Sequence, residues 1–159
     1  MNLCDFEPLW QKKRLKKLIH TCIRNTSTFL QIFNSQYSPM PENENIAIAR
    51  KWFDAFNEHN LEKLLALYSD TAQHYSPKLK IRKPETNGLI TGKAALSAWW
   101  QDSFDRLPTL TYKPIHILAD DSTVFMEYVR QVEGEENMLV GEVLEIKDGL
   151  IVASRVYHG

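Results

Sequence analysis

Met138-Leu-Val-Gly-Glu-Val-Leu-Glu-Ile-Lys147, Asp148-Gly149 and Leu150-Ile-Val-Ala-Ser-Arg-Val-Tyr-His158 form the stretch on which the fold turns. Asp-Gly between two β-rich runs is a strong hairpin signal, because the tight turn needs residues that tolerate positive φ. Two more runs precede it. Leu110 to Leu118 is separated by Asp120-Asp121 from Thr123 to Val132, and Gly134-Glu135 separates the latter from Met138. The four runs read as an antiparallel meander. Strand periodicity puts Val140, Glu142, Leu144 and Ile146 on one face of the third run, with Gly141, Val143 and Glu145 on the other. Glu142 is thus a carboxyl in an otherwise apolar row.

Upstream of Pro108 the apolar period changes from 2 to 3.6 residues. Residues 45–58, with Asn45 as N-cap, place Ile48, Ala49, Trp52, Phe53, Ala55 and Phe56 on one helical face. Asn60 caps a short second helix whose apolar side is Leu61, Leu64, Leu65 and Tyr68. Ala72 to Ser76 reads as a short extended stretch stopped by Pro77. Residues 78–90, with many charges, Pro84 and Asn87-Gly88, read as a loop. A third helix runs from Thr91-Gly92 to about Arg106, with Leu96, Trp99, Trp100, Phe104 and Leu107 inward. Three helices followed by a four-strand meander make an α+β domain, not a series of alternating βαβ units. A curved sheet wrapped around the helices buries both.

Residues 1–40 differ in charge from the rest. They carry six basic against two acidic residues, a net +4, whereas residues 41–159 carry a net −5. The seam falls at Pro39-Met40-Pro41, where two prolines disfavour a continuous helix, so the expected division is an N-terminal extension over 1–40 and a domain over 41–159. Leu15, Leu18, Ile19, Cys22, Ile23, Phe29, Leu30 and Phe33 give the extension an apolar helical stripe opposite Lys12, Lys13, Lys16, Lys17 and Arg24. Such a basic amphipathic helix can lie on an anionic membrane surface, dock in a partner groove, or pack on its own domain or a second subunit. Packing is the reading we favour, since surface helices share the pattern. Lys16, Lys17, His20 and Arg24 interrupt any secretory apolar core. Met40 as the native start is a further alternative.

Composition narrows the function. The chain has 159 residues and 18.5 kDa, 43% apolar and 25% charged residues, and a net charge of −1, values of a globular domain without the basic excess of a nucleic-acid binder. No apolar run approaches the roughly 18 residues of a membrane span. Cys4 and Cys22 are too few for a disulfide framework or a zinc site and fit a reducing, cytoplasmic setting. His20, His59 and His116 lack partners at ligand spacing, and no metal site is expected. Phosphate, dinucleotide and nucleophile-elbow motifs are missing, so no cofactor is expected. The charged run Lys78-Leu-Lys-Ile-Arg-Lys83 reads as a solvated face.

Arg50-Lys-Trp-Phe-Asp-Ala-Phe-Asn57, Leu64-Leu-Ala-Leu-Tyr-Ser-Asp70, Asn87-Gly-Leu-Ile-Thr-Gly92 and Asp148-Gly-Leu-Ile151 resemble the nuclear transport factor two-like superfamily. Within it the chain is most similar to the SnoaL-like polyketide cyclase and ketosteroid isomerase-related branch, over about residues 44–158. The resemblance implies a cone: a strongly bent sheet and three helices around a pocket open at one end. Members include isomerases, cyclases, dehydratases, hydrolases, dioxygenase subunits and plain binding proteins, so activity must be argued from the site. Steroid isomerase relatives use an Asp base, with a Tyr and a protonated Asp as oxyanion donors. By that resemblance Ser76 stands where the base Asp would be, Trp52 where the Tyr would be, and Glu142 at the second Asp. Two of the three positions have lost that chemistry, which argues against steroid-type isomerisation by the known mechanism.

Glu142 in an apolar row facing the pocket would have its pKa raised by desolvation, becoming an acid or base near neutral pH. The plainer reading is an ion pair or a wet pocket mouth. His74 shares the parity of Ser76, and His158 that of Ser154 and Val156, so a Glu142–His74 or Glu142–His158 pair could move protons; a simple hydrogen-bonded His on a half-buried strand is the alternative. The expected ligand is a small, mostly apolar molecule, held by Trp52, Phe56, Tyr68, Ser76, Trp99 and Trp100 with Glu142, His74 and His158 as catalytic groups. Isomerisation, cyclisation or dehydration is one expectation, and a non-catalytic binding or assembly module the other. The resemblance also implies a homodimer paired through the outer sheet face, at Val143, Ala153, Arg155 and Tyr157.

Overall fold

Asn43 starts the first helix. In the computed structural model, which describes residues 43–158, its side chain accepts a hydrogen bond from the Asn45 backbone N–H at 2.8 Å. The cap is therefore Asn43 and not Asn45. Asn45 instead donates its side-chain amide to the Asp120 carbonyl at 2.8 Å, tying the helix start to a strand turn. Helix α1 (Glu44–Asn57) buries Ile48, Ala49, Trp52, Phe53, Ala55 and Phe56, the face its periodicity marks out. The N-terminal extension, the seam at Pro39-Met40-Pro41 and both cysteines lie outside the described residues.

Asn60 caps α2 (Leu61–Ala66) by accepting from the Lys63 N–H at 2.9 Å. The helix stops before Tyr68, which opens strand β1 (Tyr68–Tyr75). The strand thus begins four residues earlier than the expected Ala72. The stretch expected to be a loop is more ordered than its charges suggest. Pro77 opens a short helix α3 (Pro77–Arg82), a 3-10 turn covers Pro84–Thr86, and Leu89–Thr91 is strand β2. Asn87 and Gly88 adopt left-handed conformations (φ 51° and 85°), which turn the chain back onto β1. A Cβ at Gly88 would come within 2.9 Å of the Tyr75 ring, so the turn needs glycine for space as well. Helix α4 (Lys93–Arg106) buries Leu96, Trp99, Trp100 and Phe104.

The remaining strands are β3 (Thr111–Ala119), β4 (Thr123–Gln131), β5 (Met138–Lys147) and β6 (Leu150–His158). They form the antiparallel meander read from the sequence. Among the described residues the sheet has six strands in the order β2-β1-β6-β5-β4-β3 and is mixed, because β1 runs parallel to β6. Register breaks between Pro114 and His116, between Glu145 and Ile146, and along β1 bend the sheet, since each extra residue sharpens the local twist. The helices fill the concave side. Asn57 fixes α1 there by hydrogen bonds to both the N–H and the carbonyl of Tyr112, at 2.7 and 3.0 Å. The result is α+β, a curved open sheet packed on helices.

Candidate functional site

The inner face of the sheet can be read as rows across the strands. One row joins Leu144, Ser154 and His74; the next joins Met126, Glu142 and Val156; a third joins Tyr128, Val140 and His158. Antiparallel register on both sides of β5 puts Glu142 in the middle of this surface, at 1% exposure. The apolar row Val140–Glu142–Leu144–Ile146 faces inward, as its alternation requires.

Two hydrogen bonds organise the polar groups. The Tyr128 hydroxyl donates to Glu142 Oε2 at 2.7 Å, and His74 Nδ1 lies 2.7 Å from Ser154 Oγ. Neither expected Glu142–His pair is present: Tyr128 takes one carboxylate oxygen, Ser154 takes His74, and His158 sits in the next row, opposite Val140. The other oxygen, Glu142 Oε1, is buried with no hydrogen-bond partner among the described residues. Behind the wall, Trp52 Nε1 donates to the Tyr68 hydroxyl at 2.9 Å.

Burial dominates the electrostatics. It pushes the Glu142 carboxyl up to about 7, against a smaller opposing effect of the Tyr128 hydrogen bond. Burial lowers His74 to about 4, so its imidazole is neutral at physiological pH and cannot act as a cation for Glu142. Tyr68, Tyr112 and Tyr128 are all raised, first by burial and then by the nearby Glu142 charge, and stay protonated. Around Glu142 itself the site is therefore one carboxyl poised near neutrality, with the neutral Tyr128 hydroxyl as its donor.

Of the residues singled out in the sequence, Trp52, Phe56, His74, Ser76, Trp99, Trp100, Glu142 and His158 line one cavity of about 300 Å³. Tyr68 is fully buried and lies outside that lining. Trp52 stacks on Tyr112 at 5.7 Å and 9° and leans on Phe56 at 4.3 Å, giving the cavity an aromatic wall. Tyr112, Tyr128, Arg106 and Arg130 also line the cavity and were not singled out in the sequence, and Lys78 and Arg82, from the run read as a solvated face, line it as well. Parity offered a signal for two of them, because Tyr128 and Arg130 share the parity of the inward Val124 and Met126. His59 and His116 lie elsewhere, bonded to the Leu110 carbonyl and to Glu127. Among the described residues no three His, Cys, Asp or Glu side chains gather as a metal site, and no helix is long and apolar enough to cross a membrane.

Residues 49–154 match the SnoaL-like domain family. The chain belongs to that family. Among solved structures, the SnoaL-like chain is similar to a SnoaL-like protein of unknown function from Burkholderia thailandensis E264. That protein is 26% identical with a TM-score of 0.68, over 77% of this chain and 99% of the other. It is also similar to a Kribbella flavida DSM 17836 protein provisionally assigned as a ketosteroid isomerase, at 24% identity and a TM-score of 0.61, over 73% and 78%. A third likeness is to a Sinorhizobium meliloti protein provisionally assigned as a polyketide cyclase, at 15% and 0.60, over 70% and 94%. The last two likenesses establish the fold alone. No curated protein matches the chain closely enough to count as a relative.

Proposed function

We propose that this SnoaL-like domain binds a small, mostly apolar molecule in the cavity and moves a proton on it through Glu142. The observation that carries the reading is the buried Glu142 Oε1, which has no partner among the described residues. A buried polar oxygen without a protein partner costs free energy, and one at a cavity is placed to meet a bound group. A carboxyl pushed up to about 7 exchanges its proton near physiological pH, the condition a general acid or base needs. The aromatic wall supplies the apolar contact. An isomerase, cyclase or dehydratase step of the acid–base kind fits this arrangement. Isomerase and cyclase are also the provisional assignments of two neighbours that share the fold. The test is a carbon-13 carboxyl titration of Glu142 by NMR. A midpoint near 7 is expected; a midpoint in the ordinary Glu range would remove Glu142 from the role.

The alternative, a non-catalytic binding or assembly module, draws on the missing Glu–His pair, which leaves Glu142 without a second proton carrier. A homodimer also belongs to the proposal. Phe125 (40% exposed), Leu139 (51%) and Tyr157 (52%) stand on the outer sheet face beside Val143, Ala153 and Arg155. Apolar area of this kind is usually covered by a partner. Light scattering at high micromolar concentration should give about twice the 18.5 kDa chain mass; the monomer mass would end the idea. The low cysteine count supports a cytoplasmic setting.

A further inference from the structure

The mouth of the cavity contrasts with its walls. Lys78 and Arg82 from α3, Arg106 from the end of α4, and Arg130 from β4 all line the cavity; Arg82 and Arg106 are exposed and Lys78 is half-buried, which puts them at its opening, with Arg130 just inside. Two carboxylates answer these four cations among the described residues. Asp102 is shared, 2.9 Å from Arg106 Nε and 3.8 Å from Arg82 Nη2, and Glu135 lies 2.7 Å from Arg130 Nη1. Lys78 has no ion pair within 4 Å among them.

Arg130 is the unusual member. It sits on the inner face of β4 at 6% exposure, where an arginine is costly unless its charge and donors are met. A guanidinium presents five N–H donors in a planar fork, and among the described residues only one hydrogen bond is made, from Nη1 to Glu135. Glu135 is half exposed on the loop between β4 and β5, so it is a partial and wet counter-ion. The cations also act on one another. The Lys78 ammonium is lowered by burial and then by Arg130 and Arg106, against a raising effect of Glu135. His158 is lowered by burial and then by Lys78 and Arg130. The positive field is thus concentrated in the cavity opening, where low-dielectric walls focus it.

We infer that the ligand is an amphipathic organic acid, its carboxylate held by Arg130 and Lys78 at the mouth and its apolar body lying on the Trp52–Tyr112 wall toward Glu142. The geometry sets its length. Arg130 is four residues along β4 from Met126, the residue paired with Glu142, or about 13 Å of strand, so the ligand has an elongated body with its carboxylate at one end. A carboxylate accepts two parallel bonds from an arginine fork, so Arg130 can keep Glu135 or exchange it on binding. This inference rests on the cavity being the ligand site and not on Glu142 being the proton carrier.

The test compares 2-naphthylacetate with its neutral amide, following quenching of tryptophan fluorescence in the full chain. The acid is expected to bind about tenfold or more tightly than the amide, the scale of a charge-assisted hydrogen bond, with the gap shrinking as salt rises. Arg130→Gln should remove most of that gap and leave the amide unaffected. If that variant fails to fold, Lys78→Gln on the rim should narrow the gap and steepen no salt dependence. Equal affinity for acid and amide in the unaltered protein would overturn the anion subsite while leaving the cavity reading intact. No binding of either probe would overturn both.

Discussion

Glu142 and Glu145 lie three residues apart on β5 and face opposite sides of one sheet. Glu145, outside, reaches across to the Arg155 guanidinium on β6, and both side chains keep close to half their surface in water. Glu142, inside, is sealed among aromatic rings with a tyrosine hydroxyl for its only partner among the described residues. The outer pair is what a wet β-surface ordinarily does with charge, and its net worth is small because water competes. Among the described residues no cation pairs with the inner carboxyl to offset desolvation, so its proton affinity rises toward neutrality. The same residue type therefore has surface chemistry on one face and site chemistry on the other. The difference comes from which way a strand residue points.

The largest effect expected from this contrast is in packing. Leu144 is fully buried on the inner face, so Leu144→Ala should cost about 2–5 kcal/mol by lost transfer energy and a residual cavity. Val143, its half-buried outer neighbour, should lose under about 1.5 kcal/mol on the same truncation. Denaturant unfolding of the two variants measures this directly, and equal losses would mean that the outer face is covered as tightly as the inner one.

The next effect is electrostatic and has a definite sign. The Glu142 carboxyl is raised from 4.5 unfolded to about 7 folded, so between those values the folded state binds the extra proton. Its stabilising contribution is complete below pH 4.5 and is lost as pH rises through 7, by about 3 kcal/mol in all. Glu142→Gln cannot lose it. That variant should therefore gain on the unaltered protein by up to about 3 kcal/mol between pH 5 and pH 8, read from paired unfolding curves. A Gln variant more than about 2 kcal/mol less stable at pH 8 would instead reveal a cation paired with Glu142.

The smallest effect is on the outside. A double-mutant cycle on Glu145 and Arg155 should give a coupling under about 1 kcal/mol that shrinks further in 0.5 M salt. A coupling above 2 kcal/mol that resists salt would mean that this pair is desolvated by a second subunit, and so would sharpen the dimer proposal.

Much of the architecture was legible because it is written in short-range signals. Asp148-Gly149 marks the last hairpin, and the alternation of Val140, Glu142, Leu144 and Ile146 chooses the inner face. The apolar stripe of α1 and the Asn60 cap likewise need only neighbours three or four residues away. Charge-rich residues 78–90 misled in the other direction. Their lysines and arginines hide a helix with one buried anchor, Leu79, and a strand whose reason to exist is the edge of β1. The aromatic wall was named in part, since Trp52, Phe56 and Trp100 are inward on their own helices.

The sequence by itself determined which residues point inward, because strand and helix periodicity are properties of the local backbone. It therefore settled that Glu142 would be a carboxyl among apolar side chains. Which groups would meet that carboxyl was decided by tertiary structure alone. The β4–β5 register brings Tyr128 to it, and parallel pairing of β1 with β6, some eighty residues apart, delivers His74 to Ser154 rather than to Glu142. The gathering of Lys78, Arg106 and Arg130 at one mouth belongs to the same class of fact. A hydrogen bond acts over about 3 Å, while periodicity carries no information about distance between elements far apart in the chain.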